Sequence, residues 1–332
     1  MTRKTAHTPP DMEAPQQVLA DRLSIDSEDD PLYHSESPSS TIITRRPDWF
    51  KKALDRPFEE KRVNVDGCDI SYMEWGDDSK PGLIFVHGNG AHSRWFHFIA
   101  PLLTHDFHVV SMDLSGMGDS GWRDKYSREQ YADEVIAVCE HASLGPKPIV
   151  VGHSFGGFVS VMAGHRHPEK IGAIVLADYS IKPKEKHEEW FLNRPEPRPT
   201  RVYATYEDAR ARFRLAPPQP CANQYILDYI AGHSLREVDD GWTWKFDPSI
   251  YFGFRIGDDL EQIYRKMAVP VAGIMGQYSW SSSSETIEPM RAMRPEAPLF
   301  WMPDANHHLL LDQPIAFAST LKALFSVWPT KP

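Results

Sequence analysis

The sequence predicts a doubly wound α/β fold with a mostly parallel sheet. Two observations carry this. Six short apolar runs are rich in β-branched residues and bounded by turn formers: GLIFVHG (82–88), FHVVSMD (107–113), PIVVGHS (148–154), GAIVLAD (172–178), VPVAGIMG (269–276) and APLFWMP (297–303). Continuous apolar runs of this length suit strands buried on both faces of a parallel sheet. Helical patterns over 128–143, 155–167, 285–294 and 314–327 alternate with them, and strand–helix alternation builds a doubly wound sheet.

In chain order, residues 1–45 are rich in Pro, Ser and acids and poor in aromatics. Such a segment buries too little apolar area to offset its ordering entropy, so a disordered N-terminal tail is expected. KRVNVDGCDISYMEWG then has two β-like stretches around Asp66-Gly67, a hairpin signal. The strand–helix rhythm comes next, and it breaks once. From Ile181 to about Ala268 there is no convincing central strand. Pro-rich joints (NRPEPRPT, APPQP), helical runs (YEDARARFRL, NQYILDYIAGH) and many aromatics stand there instead. This interval reads as an excursion from the sheet.

A net charge of −10 argues against a nucleic-acid partner, which needs clustered Lys and Arg. Cys68, Cys139 and Cys221 are scattered without CxxC spacing, as free thiols in a reducing compartment would be. The first residues lack the apolar core of a signal peptide, and no apolar run approaches transmembrane length. The expectation is a soluble, cytoplasmic protein without a membrane partner. It acts on a small molecule and needs no metal or organic cofactor; its oligomeric state is left open.

VVGHSFGG carries the strongest chemical signal. Gly152-His153-Ser154-Phe155-Gly156 matches G-x-S-x-G directly after a buried strand and before a helix. A strand turning sharply into a helix crowds the residues two before and two after the serine, so glycines belong there. The turn strains Ser154 and presents its hydroxyl above the strand's C-terminal edge. The Phe155 N–H, at a helix N-terminus, then offers half of an oxyanion hole. In FVHGNGAHSRWF, the loop after His87-Gly88 brings the Asn89 N–H as the second half.

VHGNG, SMDLSGMGDSGW, VVGHSFGG and DANHHLLLDQP, in this order, resemble the α/β-hydrolase superfamily, specifically a serine esterase-like member with a cap domain. The likeness covers about residues 60–328. It implies an eight-stranded, mostly parallel sheet, a nucleophile–acid–histidine triad, and a helical cap between strands six and seven. The chain then divides into a tail (1–45), a core (46–180 and 269–332) and a cap (181–268). Asp113 and Asp119, in the D-x-x-G-x-G-x-S stretch, are structural. Relatives that open epoxides or displace halide carry aspartate at the elbow. Ser154 points instead to acyl transfer to water.

In relatives the histidine precedes an acid and a proline, as H-x-x-x-x-[DE]-x-P. His307 meets that spacing with Asp312 and Pro314, and His308 is one residue late. His307 is therefore the expected general base and His308 a packing neighbour. The usual acid position, G-x-x-D after strand seven, reads Gly276-Gln277-Tyr278-Ser279. A neutral serine cannot stabilise an imidazolium as a carboxylate would. Some relatives carry the acid at the end of strand six, where Asp178 stands. Asp178 is thus the first candidate and Glu285 the fallback.

The aromatic cap suggests an apolar or aryl substrate, with Trp95, Trp242 and Trp244 as candidate substrate contacts. The expected function is hydrolysis of a small, fairly apolar carboxylic ester or related acyl compound through an acyl-enzyme. C–C bond hydrolysis or perhydrolase-type chemistry on the same triad is the alternative. A non-catalytic ligand-binding protein is favoured only by Ser279 at the usual acid site.

Overall fold

The computed structural model describes residues 41–182, 200–251 and 254–328. Most of the expected tail, through Ser40, lies outside the described residues. Its last part is paired, because Ile43 forms a parallel bridge with Asn223.

Eight strands form one sheet in the order β1-β2-β4-β3-β5-β6-β9-β10. β1 (Glu59–Val65) and β2 (Cys68–Trp75) make the expected hairpin, with Asp66 (φ 48°) and Gly67 (φ 80°) in the left-handed region that its tight turn requires. β2 is antiparallel to β4 (His108–Met112). β3 (Gly82–Val86), β4, β5 (Ile149–His153), β6 (Ala173–Ala177), β9 (Val271–Gly276) and β10 (Leu299–Met302) run parallel.

Every residue of β3, β4, β5, β6 and β9 is buried, which explains why their sequences do not alternate with polar residues. The side chains do alternate between two cores. Ile84, Val86, Val110, Met112, Val150, Ile174, Leu176 and Met275 fill one. Leu83, Phe85, Val109, Ile149, Val151, Val175 and Ile274 fill the other. The helices Arg128–His141 and Phe155–Arg166 cover the first face, and Pro314–Val327 packs into the second core. At about 1.5–3 kcal/mol for each fully buried aliphatic side chain, these two layers are the main source of stability. Among the described residues, no helix is long and apolar enough to cross a membrane.

Between β6 and β9 the chain leaves the sheet. Its described part holds the helices Tyr206–Arg210, Gln224–His233 and Leu260–Lys266. It also holds a two-stranded hairpin, β7 (Leu235–Val238) and β8 (Gly241–Trp244), that sequence reading did not resolve. The insertion is stitched to the loop after β4. Gly118 N donates to Lys245 O at 3.0 Å, Asp247 N to Gly116 O at 2.8 Å, and Lys245 pairs with Asp119.

The elbow glycines are sterically required. A Cβ on Gly152 would sit 2.2 Å from Gly156 O, and one on Gly156 would sit 2.1 Å from Val86 O. Both obstacles are backbone, so neither can yield cheaply. Gly156→Ala is expected to lower stability by about 1–3 kcal/mol or more, read as a fall of several degrees in Tm. An unchanged melting curve would contradict this steric account.

Candidate active site

Three strand ends meet at one edge of the sheet. β5 delivers Ser154, β6 delivers Asp178, and the loop after β10 delivers His307. Ser154 takes φ 51° and ψ −119°, and Asp178 takes φ 50°. For residues with a Cβ these are strained states, costing on the order of 1–3 kcal/mol each, and they persist only when the surroundings hold them. Here the neighbouring strands do so: Ser154 N donates to Ala177 O at 3.0 Å and Asp178 N to Ile274 O at 2.8 Å.

The structure brings Ser154, Asp178 and His307 together. His307 Nδ1 lies 2.7 Å from Asp178 Oδ2, and His307 Nε2 lies 2.9 Å from Ser154 Oγ. A carboxylate only accepts, so Nδ1 carries the proton and Nε2 presents a lone pair to the serine hydroxyl. His307 is 4% exposed and Asp178 is fully buried.

Ser279, at the usual acid position, donates its hydroxyl to Asp178 Oδ2 at 2.5 Å, the same oxygen that meets His307. Gly276 N donates to Asp178 Oδ1 at 2.7 Å. Three donors therefore fix the carboxylate. Gly276 has a second duty, because a Cβ there would lie 2.2 Å from Asn306 O. Its bare backbone lets the histidine loop cross the end of β9. Glu285 sits in the first turn of the helix Ser284–Met293, and the partner of His307 Nδ1 is Asp178.

Asp312 earns its place in the H-x-x-x-x-D pattern as a clasp. Its Oδ2 accepts from Asn306 N at 2.8 Å and from Gln219 Nε2 at 2.9 Å. The insertion grips the same loop elsewhere. His308 N donates to Gln219 Oε1 at 2.8 Å, and Asn223 Nδ2 donates to Leu311 O at 2.8 Å.

The HGNG loop abuts the serine. A Cβ on Gly88 would lie 3.2 Å from Ser154 Cβ, so the loop that carries Asn89 begins beside the serine. Phe155 opens the helix Phe155–Arg166, and first-turn N–H groups have no intrahelical acceptor. His87 pins the loop, donating from Nδ1 to Gly88 O at 2.7 Å and accepting Leu114 N at Nε2 at 3.1 Å. Burial pushes its pKa down to about 4, so it stays neutral. Below it, buried Asp113 accepts from Ser93 N and Asp119 N, a structural role. Burial pushes its carboxyl up to about 6.

The candidate substrate contacts divide. Trp95 is buried beneath the elbow, its ring 6.3 Å from that of His153 and 5.3 Å from that of His308. Trp242 packs on Tyr206, and Trp244 packs on Tyr203 and Phe213, all within the insertion. The rings on His307 are those of His153, His308 and Trp280, the last stacked at 5.7 Å. Trp280 is 38% exposed and carries Lys182 Nζ 4.0 Å above its ring. Phe246 reaches within 3.8 Å of where a Gly90 Cβ would stand, and Phe254 packs on Phe155 at 5.6 Å. Sequence reading missed Trp280 as a site residue. The signal available was its place next to Ser279, at the end of the strand where an acid was sought.

The alpha/beta hydrolase family model matches residues 83–320. The chain belongs to that family. Among curated relatives, the hydrolase is 27% identical to a serine hydrolase-like protein of Danio rerio, over 67% of this chain and 72% of the relative. It is 25% identical to the esterase Rv0045c of Mycobacterium tuberculosis, over 77% and 86% of the two chains. Among solved structures, E-2-(acetamidomethylene)succinate hydrolase superposes with a TM-score of 0.69 at 22% identity, covering 82% of this chain and all of that one. The last likeness is one of fold.

Proposed function

We propose that this alpha/beta hydrolase is a serine hydrolase of small, fairly apolar carboxylic esters or related acyl compounds. The observation that carries the reading is His307 bridging Ser154 Oγ at 2.9 Å and Asp178 Oδ2 at 2.7 Å. In the mechanism, His307 Nε2 takes the Ser154 proton as Oγ attacks the acyl carbon. Asp178 holds the ring in the required tautomer and balances the imidazolium charge. The N–H groups of Phe155 and Asn89 receive the oxyanion. His307 returns the proton to the leaving alcohol, and water then resolves the acyl-enzyme by the same steps.

Residues 181–268 act in this reading as the cap. Trp280 stacked on His307, Phe155 next to Ser154 and Phe246 near Gly90 place apolar surface around the serine, which supports an apolar acyl group. The test is a fluorophosphonate probe with a series of esters graded by acyl length. The wild type is expected to label and to turn over short or medium esters, while Ser154→Ala does neither. A folded wild type that neither labels nor turns over any ester would overturn the reading.

A further inference from the structure

Hydrolysis as proposed above passes through an imidazolium. When His307 Nε2 takes the Ser154 proton, a positive charge forms on a ring that is only 4% exposed. A charge so far from water needs compensation from the protein. Asp178 supplies part of it at the edge of the ring, through Oδ2 at 2.7 Å from Nδ1. Aromatic rings cover much of the rest.

Three rings pack against His307. Centroid to centroid, His153 lies 5.1 Å away and His308 4.9 Å, both steeply inclined to it. Neither adds charge, because burial holds both neutral, pushing the His308 pKa down to about 3 and that of His153 well below its ordinary value. The Trp280 indole lies 5.7 Å away, inclined by only 28° and so stacked. A cation within about 6 Å of a ring centroid is drawn to the negative π face, and indole attracts it best among the aromatic side chains. The same indole already holds one cation, Lys182 Nζ at 4.0 Å. Its place is set by Ser279. Trp280 opens the short turn Trp280–Ser282, where Ser279 Oγ accepts from Ser281 N at 3.1 Å while donating to Asp178 Oδ2 at 2.5 Å. One serine thus fixes both the carboxylate at the edge of the imidazole and the indole stacked on it.

We propose that Trp280 is a positioning residue whose π face steadies the His307 imidazolium in the transition state. Its effect on turnover rests on His307 being the general base; the pairing of indole and imidazolium does not. The titratable and charged groups around His307 are Asp178 at the end of β6, His153 at the end of β5, His308 on its own loop, Asp312 clasping that loop at Asn306 N, and Lys182 on the indole. Asp312, which burial pushes up to about 6, titrates alike with or without the indole. With His153 and His308 neutral, a change in the acid limb of kcat/KM reports the His307–Asp178 pair. An indole face favours the protonated ring, so losing it makes the imidazolium harder to form. The rate then falls and the acid limb moves to lower pH. Water entering the site has the opposite sign, because hydration favours the charged ring and moves the limb to higher pH.

The experiment records pH profiles of kcat and kcat/KM on one good ester for the full chain, for Trp280→Leu and for Trp280→Phe. Leucine keeps apolar bulk without a π face, and phenylalanine keeps a weaker face. Trp280→Leu is expected to lose about 3–30-fold in kcat with little change in KM, and its acid limb to move to lower pH. Trp280→Phe is expected to keep most of the activity. Fluorinated tryptophan grown into the chain weakens the π face without changing its shape, so it decides the matter even where Trp280→Leu fails to fold. It is expected to move the limb down in the wild type and not in Trp280→Phe. Tryptophan emission of Ser154→Ala, which needs no turnover, is expected to be quenched as His307 gains its proton, and adding Trp280→Phe is expected to abolish that change. A Trp280→Leu profile equal to wild type, a Trp280→Phe loss as large as that of Trp280→Leu, or a limb moving to higher pH would overturn the role of Trp280. The quench in a protein that hydrolyses no ester would leave the pairing standing and overturn the proposed function instead.

Discussion

Asp178→Asn is expected to lower kcat by about 10⁴-fold while leaving the fold intact. The substitution is nearly isosteric, and the amide oxygen can still accept from either Gly276 N or Ser279 Oγ. What fails is the tautomer. An amide N–H₂ turned toward His307 Nδ1 favours the ring protonated at Nε2, which then cannot accept the Ser154 proton. Glu285→Gln is expected to stay within a few-fold of wild type, because Asp178 is the partner of His307 Nδ1. A double variant sharpens the account. Ser279 Oγ lies 2.5 Å from the oxygen of Asp178 that meets His307. Placing a carboxylate there, as Asp178→Asn with Ser279→Asp, is expected to recover activity by tenfold or more over Asp178→Asn alone. Steady-state kinetics on one good ester checks all three variants. Near-normal turnover by Asp178→Asn would remove Asp178 from the mechanism.

The second large effect is loss of stability in mild acid. His87, His92, His97, His153 and His308 are each 4% exposed or less. Burial lowers the pKa of all five, to about 4 for His87 and about 3 for His97 and His308. Below pH 6.5 the unfolded chain binds protons at these rings and the folded chain does not, so stability falls as pH falls. At pH 5.5 each ring costs on the order of 1 kcal/mol. Three carboxyls oppose this, Glu134 among them, whose pKa burial also raises above its ordinary value. Burial pushes the carboxyls of Asp113 and Asp312 up to about 6, so their protonation favours the folded state below that pH. Together they return on the order of 2 kcal/mol at pH 5.5, leaving a net loss of several kcal/mol. Tm is expected to fall by roughly 5–10 °C between pH 7.5 and 5.5. A Tm that is flat or rises across that interval would show that these rings are not held neutral.

How legible each feature is in the sequence depends on how local it is. The runs that became β3 to β6 and β9 could be read because burial on both faces leaves an unbroken apolar signature; β10, at the sheet edge, is equally apolar although only Met302 of its four residues is buried. The Ser154 elbow could be read because its steric demand falls on Gly152 and Gly156, two residues away on either side. β7 and β8 were not read. They are four residues each, around Asp239-Asp240, and the two tryptophans of β8 pack within the insertion instead of against the main core. The expected acid, Asp178, is the residue whose carboxylate meets His307. Its partner Ser279 was read only as a missing aspartate, because the contact depends on β6 lying beside β9. The histidine cluster was hidden for the same reason. His153 and His307 stand 154 positions apart, and only the loop after β10, which crosses the end of β9 to reach the end of β5, unites them.

The clasp on the histidine loop limits how this protein can be recombined. Chimaeras are usually cut where an insertion enters and leaves its host, here after β6 and before β9. Such a cut would discard Gln219 and Asn223, which hold His308, Leu311 and Asp312. The donor segment would leave the loop that carries His307 unlatched. A productive crossover keeps residues 217–223 with the host and exchanges the remainder of the insertion up to β9. The part of the insertion that belongs mechanically to the core therefore lies inside it, at Gln219 and Asn223, and not at its ends.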